Sequence, residues 1–178
     1  MQTTDTTGGL DLRGWDTVSA VRISDLNRAI RQAGTTPPAF HHTYNERGND
    51  ITAAADFTAW KILPDGDGDE LKMEIPLENV TVEARGHETA CGEGIAFVTV
   101  RLELLPTDTM AEPGARKHVL VLAEPTERKP ITVDKLELAD GGLAERLQCQ
   151  TALSLWLNAN IRTFTHVFAA VTLHDVLD

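Results

Sequence analysis

"LAERLQCQTALSLWLNANIRTFTHVFAAVTL", Leu143 to Leu173, carries two periods back to back. Leu143, Leu147, Leu153, Trp156, Leu157 and Ile161 fall close to helical spacing, which predicts one helix from Leu143 to Ile161. About nineteen residues at ~1.5 Å each give roughly 29 Å, long enough to cross a small domain. Leu155, Trp156 and Leu157 in succession widen the apolar face. A helix with so broad a face is expected to be embraced by a sheet rather than laid on its surface. From Phe164 the period drops to two, with Phe164, His166, Phe168, Ala170 and Thr172 on one face. Thr165, Val167, Ala169, Val171 and Leu173 occupy the other, the pattern of a strand.

Upstream of this stretch the chain is strand-rich. Ile51 to Leu63 reads as a strand with Phe57, Trp60 and Ile62 as its heavy residues, and Pro64 to Asp69 as a hairpin connection. Leu71 to Ala84 carries Met73, Ile75, Leu77, Val80 and Val82, with a bend expected at Pro76 to Asn79 because proline cannot donate to a ladder. Gly92 and Gly94 precede a strand from Ile95 to Leu105, and His118 to Ala123 and Ile131 to Leu138 read as two more. Residues 35–50 and Pro106 to Lys117 read as loops.

Near the start, "RGWDTVSAVRISDLNRAIRQAG" (Arg13 to Gly34) is extended from Trp15 and then changes period. Ser24 reads as a helix N-cap, and Leu26, Ala29, Ile30 and Ala33 form one apolar stripe. Gly34 stops this short helix and Pro37-Pro38 prevent a restart. Asp16 beside Trp15 is expected to cap nearby backbone. Residues 1–12, with Gly8-Gly9 and four threonines, read as a flexible leader. The expected fold class is α+β: one antiparallel, meandering sheet, one long helix in the C-terminal half and a short N-terminal helix. Residues 13–178 are expected to be a single domain.

Composition narrows the function. The chain of 178 residues is 42% hydrophobic and 24% charged, an ordinary globular balance. No apolar run approaches the roughly 18 residues of a membrane span. The polar start lacks the pattern of a signal peptide, so the cytoplasm is the default compartment, with non-classical secretion left open. The formal net charge of −11 argues against nucleic-acid partners and against a broad electrostatic grip on anionic membranes. Arg116 and Lys117, and Arg128 and Lys129, are local basic clusters that could meet an anion or a lipid headgroup. Their commoner use is as solvated loop charge. Cys91 and Cys149 make no disulfide framework, and whether they pair is open at this point.

No constellation assembles a reaction centre. "PDGDGDE" places Asp65, Asp67 and Asp69 at the spacing of calcium-loop ligands, but Glu70 replaces the needed glycine and Pro76 the bidentate glutamate. A hairpin turn is the expectation there. His87 and Glu88 lie near Cys91, so a nucleophile can be imagined, but local adjacency is poor support for a triad. Neither a metal, nor a cofactor, nor an enzymatic activity is expected.

Two segments together resemble a known family. "GWDTVSAVRISDLNRAI", Gly14 to Ile30, resembles the opening of the clostridial neurotoxin-cluster accessory proteins called OrfX and P-forty-seven, with Gly14, Trp15, Asp16, Thr17, Val18 and Asn27 as the matching residues. "LWLNANIRTFTHVFAAVTL", Leu155 to Leu173, resembles that family's helix-to-strand junction, through Trp156, Leu157, Asn158, Asn160, Phe164, His166, Val167 and Phe168. The resemblance implies a TULIP-like (tubular lipid-binding) fold, in which a strongly curved antiparallel sheet wraps one long helix. The chain would then be a single-domain member or the first domain of a longer protein. It also implies a non-enzymatic module that binds a lipid or other hydrophobic ligand. An apolar groove between helix and sheet would use Trp156, Leu157 and Phe168. The alternative is a protein-interaction or assembly subunit without a cavity, whose partners are related TULIP-like proteins or a toxin.

Overall fold

A computed structural model describes residues 22–34, 36–66, 69–112, 115–122, 129–161 and 169–174. Two tight hairpins organise the sheet. Arg47-Gly48 joins β1 (Ala39–Glu46) to β2 (Asn49–Phe57), and Arg85-Gly86 joins β4 (Glu70–Ala84) to β5 (His87–Glu112). Both residues of each turn have positive φ, 52° and 83° in the first and 56° and 73° in the second. That is the two-residue turn whose twist matches the twist of paired strands, and glycine at its second position carries no steric cost. The short β3 (Lys61–Ile62) also pairs with β4, beyond the end of β2.

β5 is the spine. Its first half pairs with β4 on one side, Gly94 to Val100 pair with β7 (Ile131–Leu138), and Leu102 to Glu112 pair with β6 (Ala115–Leu122). β8 (Ala169–His174) closes the order β1-β2-β4-β5-β6-β8, and every pairing is antiparallel. The expected bend in β4 is present: the register shifts between Leu77 and Val80, and Asn79 has φ 53°.

Two helices complete the fold, α1 (Ile23–Ala33) and α2 (Leu143–Ala159). Gly34 in the left-handed conformation ends α1 as expected. The α2 stripe of Cys149, Ala152, Leu153 and Leu157 is fully buried. It belongs to one core with Ala53 and Ala55 of β2, Val80 and Val82 of β4, Cys91, Ala96 and Val98 of β5, and Ile131, Val133 and Leu136 of β7. α2 reaches β1 through Trp156 and Phe40, and β7 through Gln150 and Asn158. Four steps separate β1 from β7 by way of β2, β4 and β5, roughly 19 Å in a flat sheet. A helix about 10–12 Å across meets both only if the sheet curls towards it.

Several boundaries differ from the sequence reading. β1 lies inside the stretch read as a loop, because Phe40 is its one fully buried side chain and gives no visible alternation. The strand read over Ile51 to Leu63 breaks at 58–60 into β2 and β3. β5 starts at His87 and runs on to Glu112 through Pro106. Gly92 and Gly94, read as punctuation, lie inside it: Gly92 has φ 70° where the register shifts. Gly94 lies where a Cβ would come within 2.9 Å of the Glu137 carbonyl oxygen. Ser24 is not the N-cap, because the helix begins at Ile23 behind Arg22. Leu143 and Leu147 are 62% and 52% exposed, so the buried stripe of α2 starts later than the leucine spacing suggested. The leader and the Trp15-Asp16 pair lie outside the described residues.

Two asparagines close two strand edges. Leu63 N–H donates to Lys72 O and Arg101 N–H to Pro130 O, so the ladder alternation turns the backbone of Ile62 and Ile131 outwards. Asn27 of α1 takes both outward groups of Ile62: Nδ2 donates to the carbonyl at 3.0 Å, and Ile62 N–H donates to Oδ1 at 2.7 Å. Asn158 of α2 does the same for Ile131, at 2.7 and 3.1 Å. Gln150 Nε2 adds a bond to the Val133 carbonyl at 2.8 Å. Replacing either asparagine with alanine strands a partly buried N–H and C=O together, which costs about 1–3 kcal/mol. Urea denaturation should show that loss for Asn27→Ala and for Asn158→Ala. The two losses should add in the double variant, because the sites share no partner.

Candidate functional site

The described part of the expected groove is occupied by side chains. Leu157 has no exposed surface. Trp156 is half-buried in an aromatic cluster, with ring centroids 6.1 Å from Phe40 and 5.4 Å from Phe57. Phe57 stands in turn 5.3 Å from Trp60, edge to face. Such pairs add about 0.5–1.5 kcal/mol beyond their buried area. Phe57 and Trp60 were legible as heavy residues of a strand. Phe40 was missed with the rest of β1, and its only signal was an aromatic beside Pro37-Pro38. Phe168 lies outside the described residues.

Next to this cluster is a cleft of about 270 Å³, bounded by Ile30, Pro37, Pro38, Phe57 and Trp60. A second cleft, about 420 Å³, opens where β4, β5 and β7 meet and is lined by Pro76, Glu78, Glu93, Ile95 and Glu137. Neither is lined by Trp156 or Leu157.

The basic residues do not form one described site. Arg116 and Lys117 are successive positions of β6, opposite Leu173 and Thr172 of β8. Lys129 is exposed just before β7, and Arg128 lies outside the described residues. On the outer sheet face, Lys72, Thr99 and Asp134 hydrogen-bond to one another across β4, β5 and β7. Beside them Lys135 lies over the Phe97 ring, 5.8 Å from its centroid, and pairs with Glu137.

The acidic and thiol groups read as structural. Asp69 sits in the turn before β4 and pairs with Arg101 at 3.4 Å. Asp67 lies outside the described residues. Among the described residues no three His, Cys, Asp or Glu side chains gather as a metal site. Cys91 lies within β5, and His87 is exposed at the start of that strand. Both cysteines are buried and unbridged. Burial pushes the Cys91 thiol up, and Glu145 and Asp140 push the same way. That is the reverse of an activated nucleophile, whose thiol is depressed. Burial, with Cys91 adding, pushes Cys149 up to about 12.

An antiparallel sheet curled towards one long helix defines an α+β domain built on helix-in-sheet packing. Its sequence matches the family described as "OrfX-like: Protein OrfX2/OrfX3/P47" over residues 12–177, and the chain belongs to that family. Protein OrfX3 of Paraclostridium bifermentans is 27% identical over 188 residues, covering 92% of this chain and 38% of that protein. Protein OrfX3 of Clostridium botulinum (strain Kyoto / Type A2) is 30% identical over 96 residues, 52% of this chain and 19% of that protein. This chain therefore spans well under half the length of either relative. Two solved structures share the fold. P47 from Clostridium botulinum A2 has a TM-score of 0.57 at 12% identity, over 84% of this chain and 35% of the other. P47 of Clostridium botulinum E1 has 0.58 at 15%, over 87% and 35%.

The thiols give a pH test. A folded thiol raised above the ordinary value near 8.5 holds its proton more tightly than the unfolded chain does. Its contribution to stability is complete below about pH 8.5 and is lost as pH rises towards the folded value of about 12. The urea midpoint should therefore fall between pH 7.5 and 10, and fall less in Cys149→Ala. At pH 8 a thiol reagent should label neither cysteine until the protein is unfolded.

Proposed function

We propose that the chain is a non-enzymatic binding module that works through its surface, as an assembly unit for other protein chains, rather than by enclosing a ligand. The observation that carries this reading is the packing under α2. Cys149, Ala152, Leu153 and Leu157 have no exposed surface and share one core with Ala53, Val80, Cys91 and Ala96. A stripe packed to that degree serves as core, which is the commoner use of such residues. The partners in view are related TULIP-like chains or a toxin, as the family resemblance implies. The thiol state of Cys91 supports the absence of covalent catalysis at that position.

A lipid or hydrophobic ligand, the other reading of this family, has one specific support. The cleft beside the aromatic cluster has a mixed wall, with Ile30, Pro37, Pro38, Phe57 and Trp60 beside Arg31, Thr36 and Thr58, and at about 270 Å³ it is just under the usual ligand range of ~300–1,000 Å³. Contact with a lipid headgroup would instead use Arg116, Lys117, Arg128 and Lys129. Native mass spectrometry of the purified protein separates these readings. The assembly reading expects polypeptide masses alone, as one copy or more. An acyl lipid retained in stoichiometric amount overturns it.

A further inference from the structure

β3 and β7 each have their outward backbone engaged by a helix side chain, and β1 does not. Phe57 N–H donates to Pro38 O at 2.8 Å, which fixes the alternation of the β1–β2 ladder. Phe40, His42, Tyr44 and Glu46 turn their backbone groups to β2. Ala39, His41, Thr43 and Asn45 turn theirs away, and these four residues are exposed. Among the described residues no group takes up those N–H and C=O groups. The edge also lacks the usual protections, since β1 contains no proline or lysine and its pairing with β2 has no bulge.

Charge indicates the occupant. The chain carries a net charge of −11, yet Ala39 to Asn45, "AFHHTYN", contains no Asp, Glu, Lys or Arg. Two copies of so acidic a chain repel over most of their surfaces, and this uncharged edge is a place where they can meet without opposing like charges. Antiparallel pairing about a two-fold axis at Thr43 sets His41 opposite Asn45 of the second copy, and Thr43 opposite itself. The outward groups of each edge then bond those of the other in an isologous contact.

We propose that β1 is a self-pairing edge, joining two copies of this chain antiparallel through His41 to Asn45 into one continuous sheet. The proposal rests on the assembly reading above, and the two fail separately. A monomer without lipid overturns self-pairing alone, whereas a retained acyl lipid overturns the assembly reading.

The test is sedimentation at tens of micromolar with four variants of the full chain, each checked for folding by circular dichroism. Wild type should be dimeric. Thr43→Ala, which removes only the side-chain bond to Thr52 seen at 2.8 Å, should stay dimeric. Thr43→Pro removes an N–H that the β1–β2 ladder does not use, and should weaken the dimer by ~10-fold or more. Thr43→Lys and Thr43→Glu, each opposing its own charge at the axis, should be monomeric alone and dimeric when mixed. The mixing experiment keeps the proposal falsifiable if Thr43→Pro does not fold. A monomeric wild type, or Thr43→Lys and Thr43→Glu proteins that dimerise as well alone as together, overturns it.

Discussion

The arrangement depends on a side-chain carboxamide standing in for a missing strand. A backbone N–H and C=O that point out from an edge must find partners when they are covered. Asparagine presents one acceptor and two donors in a plane, so one side chain satisfies both groups of a single residue. Asn158 does this at Ile131 and spends its other donor on Ser154 O. Asn27 does it at Ile62. Each bond fixes a helix to a strand edge at one residue, whereas apolar packing alone would allow sliding. With Gln150 at Val133, α2 is held along β7 while Trp156 packs against Phe40 and Phe57 across the sheet.

That double attachment explains the curl and the closed core together. A helix pinned to β7 and packed against β1 draws the two sides of the sheet towards it. Small residues at the centre, Ala53, Ala55, Cys91, Ala96, Cys149 and Ala152, let the backbones approach closely. Space that could have held a ligand under this part of α2 is filled by protein. Surface features therefore weigh more in the functional reading than the helix–sheet seam does. The buried thiols follow from the same packing, because a site that excludes water favours the neutral form.

Much of the fold was legible in the sequence, and the misses have identifiable causes. The long helix, the short one, the bend at Pro76 to Asn79 and the strand at Ile131 to Leu138 all have local signals of period, proline or turn chemistry. β1 was not legible, because a strand whose inner face carries Phe40, His42 and Tyr44 shows no apolar alternation. Leu143 and Leu147 were read into the core because spacing reports a face, and says nothing of where along the helix the sheet begins to cover it. Of the groove residues, Trp156 and Leu157 were placed on the right helix, but only the structure divides them into a half-buried aromatic and a closed core position. The asparagines were visible only through the family resemblance. Asparagine inside a helix is mildly unfavourable by propensity, and its tertiary partner lies 27 or 35 residues away.

The central claim is that the carboxamides of Asn27 and Asn158 seal Ile62 and Ile131. Amide hydrogen exchange at those two residues tests it most directly. The account predicts that both amides exchange as slowly as ladder amides between β4 and β5, and that each becomes fast when its own asparagine is replaced by alanine in a protein that remains folded. Exchange at Ile62 and Ile131 as rapid as at the hairpin turn residue Gly86 in the unaltered protein would contradict it.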